Sequence, residues 1–280
     1  MNDRKLYSVL VIITFATGTV AISEAKLESG NKSVTQEQLI ETVNEDNPEV
    51  AIEQLKEAAS KDPYVSRSCH YMLHSVGRAT YDNYKDLNKS WSFIDDYCSG
   101  GYIHGNIHEY FDQRETIPEN LDICSGFEPE SGNKWNCNHG TGNAFIMFTD
   151  NELNRSINLC EEKFESEFQQ KSCVNGVYVQ HFRNIPTGEN SSKYDYPEDA
   201  FKTCEIAKSQ YKEECYTYVD DHFQKNNVSN MFEMSAKCMS VESNGMKNEC
   251  LESLYNQYRY SLVFEVSKYT AGINIISSLG

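Results

Sequence analysis

Apolar residues recur along the chain at helical rather than strand spacing. Over 251–264, Leu251, Leu254, Tyr255, Tyr258, Leu262 and Val263 fall on one face of a 3.6-residue helix. Over 49–60, Val50, Ile52, Leu55, Ala58 and Ala59 mark a second, with Pro48 in its first turn. Thr35 followed by Gln38 predicts a capping box that opens a helix over 35–45. Period-2 alternation is sparse. Its best stretch is 175–180, and the place of that stretch in a repeat, described below, predicts helix instead.

One apolar stretch has a different character. Residues 6–22 carry no charge and follow Arg4 and Lys5, while Ser23 and Ala25 supply small residues at −3 and −1 of a cleavage site. Residues 1–25 therefore read as a signal peptide with Lys26 as the new N-terminus. The second reading is a retained N-terminal membrane anchor, for which 17 residues is the lower limit. Both readings export the rest of the chain, to the cell envelope or beyond.

Export decides how the ten cysteines read. All lie after the leader, the number is even, and no Cys-x-x-Cys pair occurs, so disulfides are expected. Cys124–Cys137, Cys160–Cys173, Cys204–Cys215 and Cys238–Cys250 share a polar gap of 10 to 12 residues. The second member of each pair recurs every 35 to 42 residues, the period of helical-hairpin arrays. The expected unit is an αα-hairpin with one Cys near the end of helix A and its partner near the start of helix B. Cys69 and Cys98 pair by elimination. The expected fold class is all-α, a solenoid-like array of disulfide-stapled αα-hairpins. Its divisions are N-terminal helices over 26–66, His-rich helical repeats over 67–150 and Cys-stapled hairpin repeats over 151–280.

Composition narrows the partners. Lys plus Arg is 25 against 42 Asp plus Glu, a net charge of −17, with no basic cluster to neutralise phosphates. No nucleic-acid partner is expected. Membrane attachment is expected only through residues 6–22.

The histidines carry the candidate chemistry. His70 and His74 stand at i, i+4 and share a helix face; His104 and His108 repeat the spacing, followed at once by Glu109. His139 forms a third such pair with Asn143. Paired imidazoles on adjacent helices can hold a transition metal inside a helical core, with Zn or Cu as the candidate ions. Glu109 is a candidate ligand, outer partner of a His N–H, or acid/base. Arg78 reads as a structural salt bridge. His181 and His222 precede Phe182 and Phe223 in later repeats and read as packing residues. The competing readings of the five front histidines are a set of buried rings hydrogen-bonded to one another and to neighbouring carbonyls, and a pH-responsive or surface role.

The Cys placement over roughly 120–260 resembles that of the cysteine-rich Sel1-like repeat proteins. That resemblance implies a secreted array of hairpins stapled between helices A and B, although the Ala/Gly signature of true Sel1 repeats is missing. The front half resembles exported Cys/His-rich proteins of uncharacterised function. The strings that carry it are Cys69-His-Tyr-Met-Leu-His74, Gly101-Tyr-Ile-His-Gly-Asn-Ile-His108, Cys137-Asn-His-Gly-Thr-Gly-Asn143 and Cys173-Val-Asn-Gly-Val-Tyr178. In that pattern His stands where this chain has Asn143. The resemblance implies no activity.

Three functions are compatible with these features. The first is an exported helical protein holding a transition metal on His70, His74, His104, His108 and His139. The second is a metal-free solenoid module that binds a protein or other partner. The third is a metal-dependent hydrolase or oxidoreductase with Glu109 as acid/base.

Overall fold

A computed structural model describes residues 34–183, 200–219 and 231–255, all within one compact unit that begins at Val34. The expected leader over 1–25, His222 and the 256–264 part of the expected C-terminal helix face lie outside the described residues. Every regular element among the described residues is helical, as the apolar spacing predicts. In chain order these are α1 (Gln36–Glu45), α2 (Pro48–Lys61), α3 (Pro63–Tyr84), α4 (Leu87–Trp91), α5 (Gly101–Asp112), α6 (Gly132–Phe148), α7 (Leu153–Lys163), α8 (Glu167–Arg183), α9 (Ala200–Ile206) and, after a short 3₁₀ turn, α10 (Lys212–Tyr216). A helix at Met231–Met239 and another over 244–255 follow.

Local signals set where the first helices begin. The Thr35 hydroxyl accepts from the Gln38 backbone N–H at 3.3 Å while the Gln38 side chain accepts from the Thr35 N–H at 3.0 Å, which completes the expected capping box. Asn47 caps α2 and Asp62 caps α3, each followed by a proline whose missing N–H costs nothing in a first turn. In α2 the buried face is Ala51, Ile52, Leu55 and Ala59. Val50, expected on that face, is instead exposed, because the core meets α2 from one side only.

Five disulfides join Cys69–Cys98, Cys124–Cys137, Cys160–Cys173, Cys204–Cys215 and Cys238–Cys250. The last three link consecutive helices as hairpin staples. The front two depart from that plan. Cys98 lies in the turn before α5, so its bridge ties two long helices, α3 and α5. Cys124 sits in the irregular segment 114–131 rather than on a helix A. Five bridges fit an oxidising, extracytoplasmic compartment. No helix among the described residues is long and apolar enough to cross a membrane.

The long helices α3, α5, α6 and α8 form a row, each packed on the next. Glycines permit this. A Cβ on Gly105 would stand 2.1 Å from the His74 carbonyl oxygen, and one on Gly176 would stand 1.9 Å from that of His139. Only hydrogen fits there, so backbones approach to a distance that any larger residue forbids.

Candidate metal centre

The row of helices brings the front histidines together. His70 and His74 come from α3, His104 and His108 from α5, and His139 from α6. Ring centroids lie 4.8 Å apart for His70–His74, 5.3 Å for His70–His104, 5.4 Å for His74–His104, 5.1 Å for His74–His108 and 5.0 Å for His104–His139. Within this cluster, one ring nitrogen each from His70, His74 and His104 all lie within 4.8 Å of one another. His104 and His108 are only 3% and 2% exposed, whereas His70, His74 and His139 are half-buried.

The residue after each of His104, His139 and Asn175 explains the assembly. Gly105 follows His104 and packs on the His74 carbonyl; Gly140 follows His139 and packs on the His104 ring; Gly176 follows Asn175 and packs on the His139 carbonyl. A recurring His/Asn-Gly pair thus presents a polar side chain and, one residue on, lets the preceding helix come close.

Hydrogen bonds fix two tautomers. His70 Nδ1–H donates to the Cys98 carbonyl at 2.8 Å, which leaves Nε2 with its lone pair in the neutral ring. That Nε2 accepts a hydrogen bond from His74 Nε2–H at 3.1 Å. His139 Nδ1–H donates to Asn175 Oδ1 at 2.8 Å, and the same oxygen accepts from the Tyr218 hydroxyl at 2.9 Å. Both ring nitrogens of His104 and both of His108 are buried without a hydrogen-bond partner, as is Asn143 Oδ1. An orphaned buried polar atom costs about 1–3 kcal/mol, so the reading of rings hydrogen-bonded to one another and to neighbouring carbonyls fits His70, His74 and His139 but leaves His104 and His108 without partners.

Burial is the main force on the titration of these rings, and it holds all five below the ordinary imidazole range. His108 and His139 are pushed down to about 3, with Arg78 adding to the effect at His108. His74 and His104 lie well below the usual value, and His70 is lowered by burial against the opposing bond to Cys98. The cluster is therefore neutral at pH 7, with lone pairs available. Linkage gives a testable sign. These groups bind protons more readily unfolded, near pH 6.5, than folded, so the metal-free protein keeps their full contribution above pH 6.5 and loses stability progressively as pH falls towards 3. Urea midpoints measured between pH 7 and pH 4 should fall steeply below 6.5. A flat profile there would show that the rings are solvated.

Glu109 stands apart from the imidazoles. Its oxygens are taken by Arg78 at 3.3 Å and by the Gln113 side chain at 2.8 Å. Arg78 also pairs with Asp112, the structural role expected of it. His181, bonded to Asn151 at 2.8 Å and tilted against Phe182, is buried outside the cluster. Asn175 and Tyr218 were not among the expected site residues. The signal for Asn175 was present: in Cys173-Val-Asn-Gly it occupies the place of His139 in Cys137-Asn-His-Gly. Tyr218 carries no comparable sequence signal. The chain matches no family model, and neither a curated protein nor a solved structure is significantly similar to it.

Proposed function

We propose that this is an exported, disulfide-stapled helical protein that holds a transition-metal ion on its histidine cluster, for storage, sensing or delivery. The observation that carries the reading is the convergence of His70, His74 and His104 nitrogens within 4.8 Å, beside the four partnerless ring nitrogens of His104 and His108. Neutral imidazoles are what a Zn or Cu ion requires, and an ion on this triad would satisfy one of the His104 nitrogens that is otherwise costly to bury. Carbonyl and amide oxygens behind His70 and His139 orient the rings as outer partners of metal-bound histidines do. An enzymatic reading with Glu109 as acid/base has less support, since Arg78 and Gln113 occupy that carboxylate.

The test is metal analysis of protein purified from its native compartment, beside the double variant His104→Ala/His108→Ala. The wild type should carry stoichiometric metal. The variant should lose it and keep its helical circular dichroism, because the five staples remain. Metal-free wild-type protein that takes up no Zn or Cu at neutral pH would sink the reading and leave the solenoid binding module.

A further inference from the structure

One of the five disulfides differs from the rest in access and in position. The cysteines of Cys124–Cys137, Cys160–Cys173, Cys204–Cys215 and Cys238–Cys250 are each 3% exposed or less, whereas Cys69 and Cys98 are half-buried. A thiolate must reach a sulfur to exchange with it, so Cys69–Cys98 is the bridge open to an external thiol while the protein stays folded. This bridge also borders the histidine cluster on both sides. Cys69 immediately precedes His70 on α3, and the Cys98 carbonyl accepts from His70 Nδ1–H at 2.8 Å. The same carbonyl accepts from the Gly101 N–H at 3.4 Å, in the first turn of α5, the helix that carries His104. Cys98, Ser99 and Gly100 are left-handed in succession, with φ of 55°, 56° and 74°. Two neighbouring non-glycine residues keep that conformation only where their surroundings impose it. The bond to Cys69 is a covalent part of that constraint.

We propose that Cys69–Cys98 is a thiol–disulfide exchange site for an external dithiol, and that its opening frees His70 and loosens the metal centre. A thiolate of the dithiol attacks one of the two sulfurs, the Cys69–Cys98 bond breaks, and the other cysteine leaves as a thiolate that takes up a proton. The second thiol of the reagent then displaces the attacked cysteine and closes a disulfide of its own, so the dithiol is oxidised and both cysteines are reduced. With the bond gone, the turn is free to leave its left-handed conformation and to carry the Cys98 carbonyl away from His70. His70 Nδ1–H loses its acceptor, and the ring is no longer fixed where one of its nitrogens converges with those of His74 and His104. The other four bridges stay closed and keep their helices joined. The loss of metal rests on the metal-binding reading above; the exchange and the release of His70 do not.

The experiment uses the disulfide-intact protein, stripped of metal and treated with dithiothreitol under nitrogen at neutral pH. Samples are quenched with N-ethylmaleimide at intervals and mapped by peptide mass. Cys69 and Cys98 should be alkylated at least about tenfold faster than any other cysteine. Another bridge opening first, or all five opening together, would overturn the exchange site. NMR of the histidine rings, recorded before alkylation, reads the coupling without metal. The His70 signal should pass from a fixed Nδ1–H tautomer to an average of both tautomers, and return on reoxidation. A fixed Nδ1–H tautomer after reduction would show that the bridge does not position His70. The double variant Cys69→Ser/Cys98→Ser stands in for the open state. Titrated with Zn²⁺ or Cu²⁺ against a chromogenic chelator, it should bind at least about tenfold more weakly than wild type. Equal affinity in a folded variant would overturn the link to metal. Wild-type protein that takes up neither ion would remove the metal function and this last arm with it, while the mapping and the NMR still decide the exchange site.

Discussion

Replacing Gly105 by Ala is expected to dismantle the histidine cluster without touching a histidine. The new Cβ would stand 2.1 Å from the His74 carbonyl oxygen and 2.8 Å from the His74 Cα, both backbone atoms that no rotamer change can move aside. Helix α5 must therefore shift away from α3 by on the order of 1 Å, since normal contact is ~3.5 Å or more and part of the gap closes by tilting. Overpacking of this kind costs about 1–3 kcal/mol, and Ala recovers only about 1 kcal/mol of helix propensity. The larger effect falls on the site. His104 rides on the shifted helix and His70 and His74 on the fixed one, so the convergent nitrogens separate. Metal affinity should fall at least tenfold, on the scale of lost ligand orientation. The control is Gly132→Ala, in the first turn of α6 with open space around the added carbon, which should leave melting and metal content near wild type. A Gly105→Ala protein with wild-type melting and full metal would show that the close approach does not build the site.

Reduction of the disulfides should unfold the chain at 37 °C. Four of the five bridges close loops with sequence separations of 11 to 13 residues, and the fifth spans 29. Each contributes ~3 kcal/mol by restricting the unfolded chain. Five such terms reach or exceed the whole stability of a typical domain, about 5–15 kcal/mol. The architecture depends on them because a row of helices offers no single deep core. Its apolar interior divides into one cluster over Leu39–Tyr102 and another over Ile103–Leu254. Thermal melting followed by circular dichroism, with and without a phosphine reductant, is the measurement. The double variant Cys160→Ala/Cys173→Ala should lower stability by ~3 kcal/mol and leave the remaining bridges in place. Equal melting curves for oxidised and reduced protein would mean that packing alone suffices.

The helical class and four of the five cysteine pairs were legible in the sequence because both depend on local spacing, while Cys69–Cys98 followed only by elimination. A capping box at Thr35–Gln38, an amphipathic face in α2 and loops of matched length are short-range features, and each appears in the structure as read. Even there, Val50 shows the limit, since periodicity gives a face and not its width. Periodicity fails altogether in α8, where every residue from Ser172 to Phe182 is buried. A helix enclosed on all sides has no polar face to reveal its phase. The candidate site divides in the same way. The i, i+4 spacing put His70 beside His74 and His104 beside His108 within single helices. Which nitrogens converge, that Arg78 holds Glu109, and that Asn175 and Tyr218 stand behind His139 were decided by how close the helices come. That distance is set by Gly105, Gly140 and Gly176 against carbonyls and rings of a neighbouring helix, contacts between residues roughly 30 or more positions apart that no local pattern encodes.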